Sequence, residues 1–424
     1  MAEFLLTTWH GAGTTPPLLS IVRALTRRGH QVRVLADSVL QAEVQAAGGE
    51  HISWTRAPQR ACRGPQSDFV RDWDTDDPAE AFVRTRDRLS VGPAARFAAD
   101  VRDEIERRRP AALLTEMLIF GPLVAAEAAG VPAIVLNPTI NIIPADGVPP
   151  FGFGFLPAAS AAERERDRQF LAIGMKGWDG ALEALNDARR QHGLPPVDHV
   201  LDQGRSAARV LVLTSRAFDF QGPLPPTVKY CGPRLEDPSW VPDRWEAPAG
   251  DDPLVLVAMS SEFQGHRSLL QRTVDALGGL PVRAVVTTGP GLDPSSLLAP
   301  PNVQVVESAP HGQVLRHARL VVTHAGHGTV IKSLAAGVPL VCLPLGRDQL
   351  DIAARVVHSG TGRRLDPGSP AEEIRAAVGE VLGNPDYSAA AGRMSRAIAE
   401  EVAEDHAVAE IEAVVSRQDT RIPA

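Results

Sequence analysis

Short apolar runs alternate with stripes of apolar residues at helical spacing along most of this chain. Glu3 to Trp9 reads as a strand, His10 to Pro16 as a Gly/Thr/Pro loop, and Pro17 to Arg28 as a helix. Leu18, Ile21, Val22 and Leu25 lie on one face of that helix. Gly29-His30 stops it, and Gln31 to Ala36 gives the next strand. Further strands are predicted at Ala111 to Thr115, Ala133 to Leu136 and Val210 to Thr214, with helices at Arg96 to Arg108, Leu123 to Ala129 and Leu182 to Gln191. Repeated β-α-β order predicts a parallel sheet covered by helices on both faces. Gly49 to Pro93 is irregular and polar, and Thr139 to Met175 begins as loop.

The pattern breaks between Pro223 and Pro253, a stretch rich in Pro, Trp and Asp that reads as an interdomain linker. It resumes with strands at Leu254 to Ala258, Val282 to Thr287 and Val303 to Val306, a helix at Leu269 to Leu277, and a helical end from Ala371 to Val415. The expected division is a first Rossmann-like domain over 1–222, a linker over 223–253, a second Rossmann-like domain over 254–395, and a terminal helical segment over 396–424. At 424 residues the chain exceeds one ordinary core, which agrees with two domains.

The chemistry concentrates between Leu320 and Asp351. A strand (Leu320 to Thr323) breaks at His324-Ala325-Gly326, a helix follows from Thr329 to Ala336, Gly337 stops it, and a second strand (Val338 to Leu343) ends at Pro344. Gly326 and Gly328 carry no side chain to block a ligand, and the first N–H groups of the helix are free, with the positive end of its dipole behind them. That arrangement suits a phosphate or diphosphate. A Gly-x-Gly turn by itself equally serves to pack a helix on a strand. His324 and His327 beside the glycines, and Arg347, Asp348 and Gln349 at the next strand's carboxyl end, add polar groups where open parallel sheets bind ligands.

Charge and cysteine content remove other classes. The net charge of −8 and a pI near 5.9 argue against nucleic acid or an anionic membrane as main partner. Three widely spaced cysteines (Cys62, Cys231, Cys342) form no metal pattern and point to a reducing, cytoplasmic setting. The N-terminal apolar run is too short for a signal peptide, and no stretch is long enough for a membrane span. Asp72-Trp73-Asp74 and Asp74-Thr75-Asp76 have the Asp-x-Asp form of a metal-chelating pair, but no apolar strand leads into them. Asp77-Pro78 reads better as a helix N-cap with Pro at the first helical position.

Ser308-Ala309-Pro310-His311, His324-Ala325-Gly326-His327-Gly328-Thr329, Gly337-Val338-Pro339 and Asp348-Gln349 together resemble the nucleotide-sugar signature of family 1 glycosyltransferases, most closely the bacterial enzymes that glycosylate natural products. The resemblance implies a GT-B fold: two Rossmann-like α/β domains with parallel sheets facing across a cleft, and a terminal helix crossing back to the first domain. It implies transfer of a hexose from a UDP- or dTDP-sugar to a small hydrophobic (polyketide, macrolide or phenolic) acceptor, inverting and metal-independent, with no cofactor beyond the donor. Ser260, Ser261, His311, His324, Gly326, His327, Gly328 and Thr329 would hold the donor nucleotide, with Asp348 and Gln349 on the sugar hydroxyls. Phe120 would line the acceptor pocket, and Phe151, Phe153 and Phe155 either line it or cover the domain edge. The expected partners are these two small molecules, with a homodimer left open.

Four positions depart from the family pattern. Ser308 stands where an aromatic often stacks on the base, and Lys332 where a glutamate commonly binds the ribose, so the nucleotide stays open. Thr14 stands at the family's catalytic histidine and Glu116 at its aspartate partner. Glu116 and then His10 become the candidate bases, with Thr14 orienting the acceptor. Two rivals share the fold: a nucleotide-sugar 2-epimerase, and a non-catalytic nucleotide-sugar-binding auxiliary protein.

Overall fold

Apolar runs become parallel strands at nearly every place the periodicity indicates. The computed structural model describes residues 1–11 and 13–419. Positions 12 and 420–424, within the expected first loop and terminal segment, lie outside the described residues.

The first sheet comprises β1 (Glu3–Thr7), β2 (Gln31–Ala36), β3 (Glu50–Ser53), β4 (Ala112–Glu116), β5 (Ala133–Asn137), β6 (Arg209–Val212) and β7 (Val228–Tyr230). Its order is β3-β2-β1-β4-β5-β6-β7, and all its pairings are parallel. Its helices are α1 (Thr15–Arg27), α2 (Gln41–Ala46), α3 (Pro78–Thr85), α4 (Ala94–Arg107), α5 (Gly121–Ala129), α6 (Ala161–Asp179) and α7 (Leu182–Gln191). The second sheet is β8 (Leu254–Ala258), β9 (Arg283–Thr287), β10 (Val303–Val306), β11 (Ala318–Thr323), β12 (Leu340–Cys342) and β13 (Gly362–Arg364). Its order is β10-β9-β8-β11-β12-β13. Around it run α8 (Arg267–Leu277), α9 (His311–Val314), α10 (His327–Ala335), α11 (Gln349–His358), α12 (Ala371–Gly383), α13 (Pro385–Glu401) and α14 (His406–Asp419).

Both sheets reverse direction of growth at one point, between β1 and β4 in the first and between β8 and β11 in the second. The crevice outside the strand carboxyl ends at such a switch point is where this architecture takes ligands. The two domains meet through these carboxyl-end loops: Arg347 of the second bonds Asp72 of the first, and Thr139 of the first bonds Asp348 of the second. α14 returns to the first domain, burying Ala407, Val408 and Ile411 in one apolar cluster with Leu18 and Leu25 of α1. Among the described residues, no helix is long and apolar enough to cross a membrane.

Three elements fall within the stretches read as irregular, linker or loop. β3 lies in the irregular 49–93 stretch, a four-residue edge strand with mixed polarity that forms by pairing with β2. β7 lies inside the expected 223–253 linker, so the first sheet draws its last strand from there. α6 spans nineteen residues with none buried, so it has no apolar stripe, and a capping box between Ser160 and Glu163 starts it. Asp77 caps α3 by accepting the N–H of Ala79.

Candidate active site

β8 and β11 end side by side, and their loops carry most of the polar groups of the second domain's crevice. α10 starts at His327, two residues earlier than predicted, with Gly326 as its N-cap and no side chain capping it. Its first N–H groups are therefore available to an anion. The His324 ring lies against Gly326: a Cβ there would sit 2.6 Å from His324 Nε2. That glycine makes room for the histidine rather than for a ligand. Burial holds His324 neutral, with its pKa pushed down to about 3, and the nearby His266 and Arg347 add to the effect. Ala325 and Arg347 both have left-handed backbone, at φ 66° and 56°. Strained non-glycine residues of this kind cluster where function over-determines the chain.

Several expected donor residues have their side chains engaged elsewhere. His327 Nε2 meets Thr214 Oγ1 of the first domain at 2.7 Å, across the domain boundary and away from the crevice. Gln349 Oε1 accepts the N–H groups of Leu345 and Gly346, and its Nε2 donates to Gln264. Asp348 accepts the Thr139 hydroxyl at 2.7 Å rather than capping α11, and burial raises its pKa. Ser260 accepts the Gln264 amide at 2.6 Å, and Ser261 follows it at the β8 end. Gly328 and Thr329 lie within the first turn of α10.

Beside α10 lies a pair that no local pattern shows. Lys332 Nζ is 2.7 Å from Asp237 Oδ1, and Asp237 Oδ2 accepts the N–H of Gly312 at 3.0 Å. The lysine in the glutamate position thus brings a carboxylate with it, from the segment between the domains. His311 sits beside this pair, near Thr287, with its pKa lowered to about 4 by burial and by Lys332.

On the first domain, Glu116 ends β4 with no exposed surface. One oxygen, Oε2, accepts the Leu118 N–H at 2.8 Å and Trp9 Nε1 at 3.3 Å. The other, Oε1, has no partner among the described residues. Burial without a countercharge raises its pKa to about 7. His10 sits in a different environment. Its Nδ1 is 3.3 Å from Arg60 Nη1 and its Nε2 is 3.4 Å from Arg63 Nη1. Burial lowers its pKa to about 4, although Glu262 pulls the other way. Thr14 precedes α1, and its hydroxyl donates to the Gly11 carbonyl at 3.3 Å.

Arg60 and Arg347 build an ion network across the crevice. Arg347 binds both oxygens of Asp72, at 2.6 and 2.9 Å, and Glu262 Oε2 at 2.7 Å. Arg60 reaches Glu262 Oε1 at 3.2 Å and pairs with Asp68. Glu262 has burial working against its charge, yet these arginines hold its pKa below the usual carboxylate range. Asp72 and Asp74 are taken by arginines, and among the described residues no three His, Cys, Asp or Glu side chains converge as a metal would require. The aromatic stretch packs on α6 and bonds to α11 of the second domain. Phe153 stacks near Phe155 and edge-on to Phe170 of α6, Phe151 is exposed, and Gly152 and Gly154 donate to Asp351 of α11. Phe120 is buried beside Trp178, four residues beyond Glu116. Arg60, Glu262, Gln264 and His266 carried no local signal, since only tertiary contacts bring them to the crevice.

The family described as UDP-glucoronosyl and UDP-glucosyl transferase matches residues 206–419. The 4'-demethylrebeccamycin synthase of Lentzea aerocolonigenes is 28% identical over 402 residues, covering 93% of this chain and 94% of that protein. The oleandomycin glycosyltransferase of Streptomyces antibioticus is 25% identical, covering 92% of this chain and 85% of that one. A solved structure of the glycotransferase of kitacinnamycin superposes with a TM-score of 0.77 at 24% identity, covering 97% of this chain and 98% of that one.

Proposed function

Because the family match spans half of its length, the chain belongs to the UDP-glucoronosyl and UDP-glucosyl transferase family, and from that premise we propose that it transfers a hexose from UDP- or dTDP-sugar to a small hydrophobic acceptor. Relatives named for rebeccamycin and oleandomycin support a natural-product acceptor of polyketide, macrolide or phenolic kind. The transfer is inverting and uses no metal. The free thiols Cys62, Cys231 and Cys342 suit a reducing cytoplasm.

One observation carries the mechanism: a buried carboxyl with an unpartnered oxygen and a pKa near 7 at one switch point, and an uncapped helix N-terminus at the other. The acceptor hydroxyl gives its proton to Glu116 Oε1, which is half ionised near neutral pH. The acceptor oxygen then bonds the anomeric carbon from the face opposite the diphosphate. The bond from that carbon to the diphosphate oxygen breaks, and its electron pair leaves on the phosphate. The N–H groups of α10 and the histidine beside them stabilise that charge; a helix terminus alone contributes about 0.3–1 kcal/mol when exposed and up to about 2 when partly buried. Since Glu116 has no exposed surface, acceptor binding has to displace part of its cover around Trp9.

His10 is the weaker base. Whichever of its ring nitrogens carries the lone pair already faces a guanidinium N–H. Ribose recognition falls to the Asp237–Lys332 pair, and Asp348 takes sugar hydroxyls once Thr139 yields. The test is product mass spectrometry on UDP- and dTDP-hexoses with mixed hydrophobic acceptors, with and without a chelator. Glycosylated acceptor formed equally in both supports the reading, and product only in the absence of chelator refutes metal independence.

A further inference from the structure

We propose that His266 donates its Nε2–H to the diphosphate of the sugar donor, and so forms with His324 a two-histidine clamp on the leaving group. This rests on the donor-site reading above. His266 immediately precedes α8, at the second uncapped helix start beside the switch point, and is only 3% exposed. Its Nδ1 accepts the backbone N–H of Gln264 at 3.4 Å. That bond leaves the ring proton of the neutral histidine on Nε2. Gln264 cannot drift, because its amide donates to Ser260 Oγ and accepts from Gln349 Nε2. The tautomer of His266 is therefore set by a fixed backbone group.

The Nε2–H so presented has no partner among the described residues. A buried donor left unmatched is costly, and an anionic oxygen is the acceptor that recovers most. His324 is close enough that His266 helps to lower its pKa.

The test is calorimetric binding of UDP and dTDP, with uridine and thymidine as ligands lacking the phosphates, to the parent, His266→Ala and His266→Gln. The expected result is a loss of about tenfold or more in diphosphate affinity for His266→Ala, from loss of a hydrogen bond to a charged group, with nucleoside binding unchanged. His266→Gln, which keeps an N–H donor, recovers part of the loss. A folded His266→Ala that binds the diphosphates as the parent does overturns the clamp, as does an equal loss for nucleosides and diphosphates. A parent that binds neither UDP nor dTDP overturns the donor-site reading and the clamp with it.

Discussion

Replacing Glu116 by Gln should raise stability at alkaline pH while it removes activity. Glu116 is fully buried, and that burial raises its pKa from 4.5 to about 7. Between those values the folded chain keeps a proton that the unfolded chain has released. Stability from this group is therefore complete below pH 4.5 and is lost as pH rises through about 7. At about 1.36 kcal/mol per pKa unit, the full loss is a little over ~3 kcal/mol. Glutamine fits the same contacts: its carbonyl accepts from Trp9 and Leu118, and its amide occupies the position of the unpartnered Oε1. Denaturant unfolding of parent and Glu116→Gln at pH 5 and pH 8 should show the variant gaining about 2–3 kcal/mol on the parent across that interval. The same variant should lose at least about 10²-fold in kcat, with nucleotide affinity retained. Identical pH slopes for the two proteins would refute the raised pKa, and a near-parental kcat would refute the base.

Three further outcomes follow from the site. His10→Ala should leave kcat within a few-fold of the parent, and a loss of about 10² there would transfer the base to His10. His324→Ala should weaken UDP and dTDP binding in calorimetry with little loss of fold stability; unchanged binding would remove His324 from the diphosphate site. With Asp237 and Lys332 replacing a single ribose-binding carboxylate, UDP- and dTDP-linked forms of one sugar should both be turned over, and strict rejection of either would count against that substitution.

The two-sheet frame was legible because β1, β4, β8 and β11 are short apolar runs separated by amphipathic helices, the pattern that buried parallel strands require. α6 escaped because nothing on it is buried, leaving the capping box at Ser160 as its one local sign. β3 and β7 escaped because four- and three-residue edge strands owe their form to a neighbour, not to their own periodicity. The same limit governs the site. The motif located the crevice loops, but hydrogen bonding decides where their side chains turn. His327 meets Thr214, Lys332 meets Asp237 and Arg347 meets Asp72, all partners far away in sequence. His266 lies outside every motif, and its free donor is visible only once Gln264 is seen to hold its other nitrogen.

The central claim, an inverting transfer that needs an acceptor, is tested most directly by following nucleotide release and product anomer together. An α-linked UDP- or dTDP-hexose is incubated with the protein, with and without acceptor, in the presence of a chelator, and the product's anomeric coupling is read by NMR. The account predicts nucleotide diphosphate released in step with added acceptor and a β-glycoside as product. Release at the same rate without acceptor, or an α-glycoside, would contradict it.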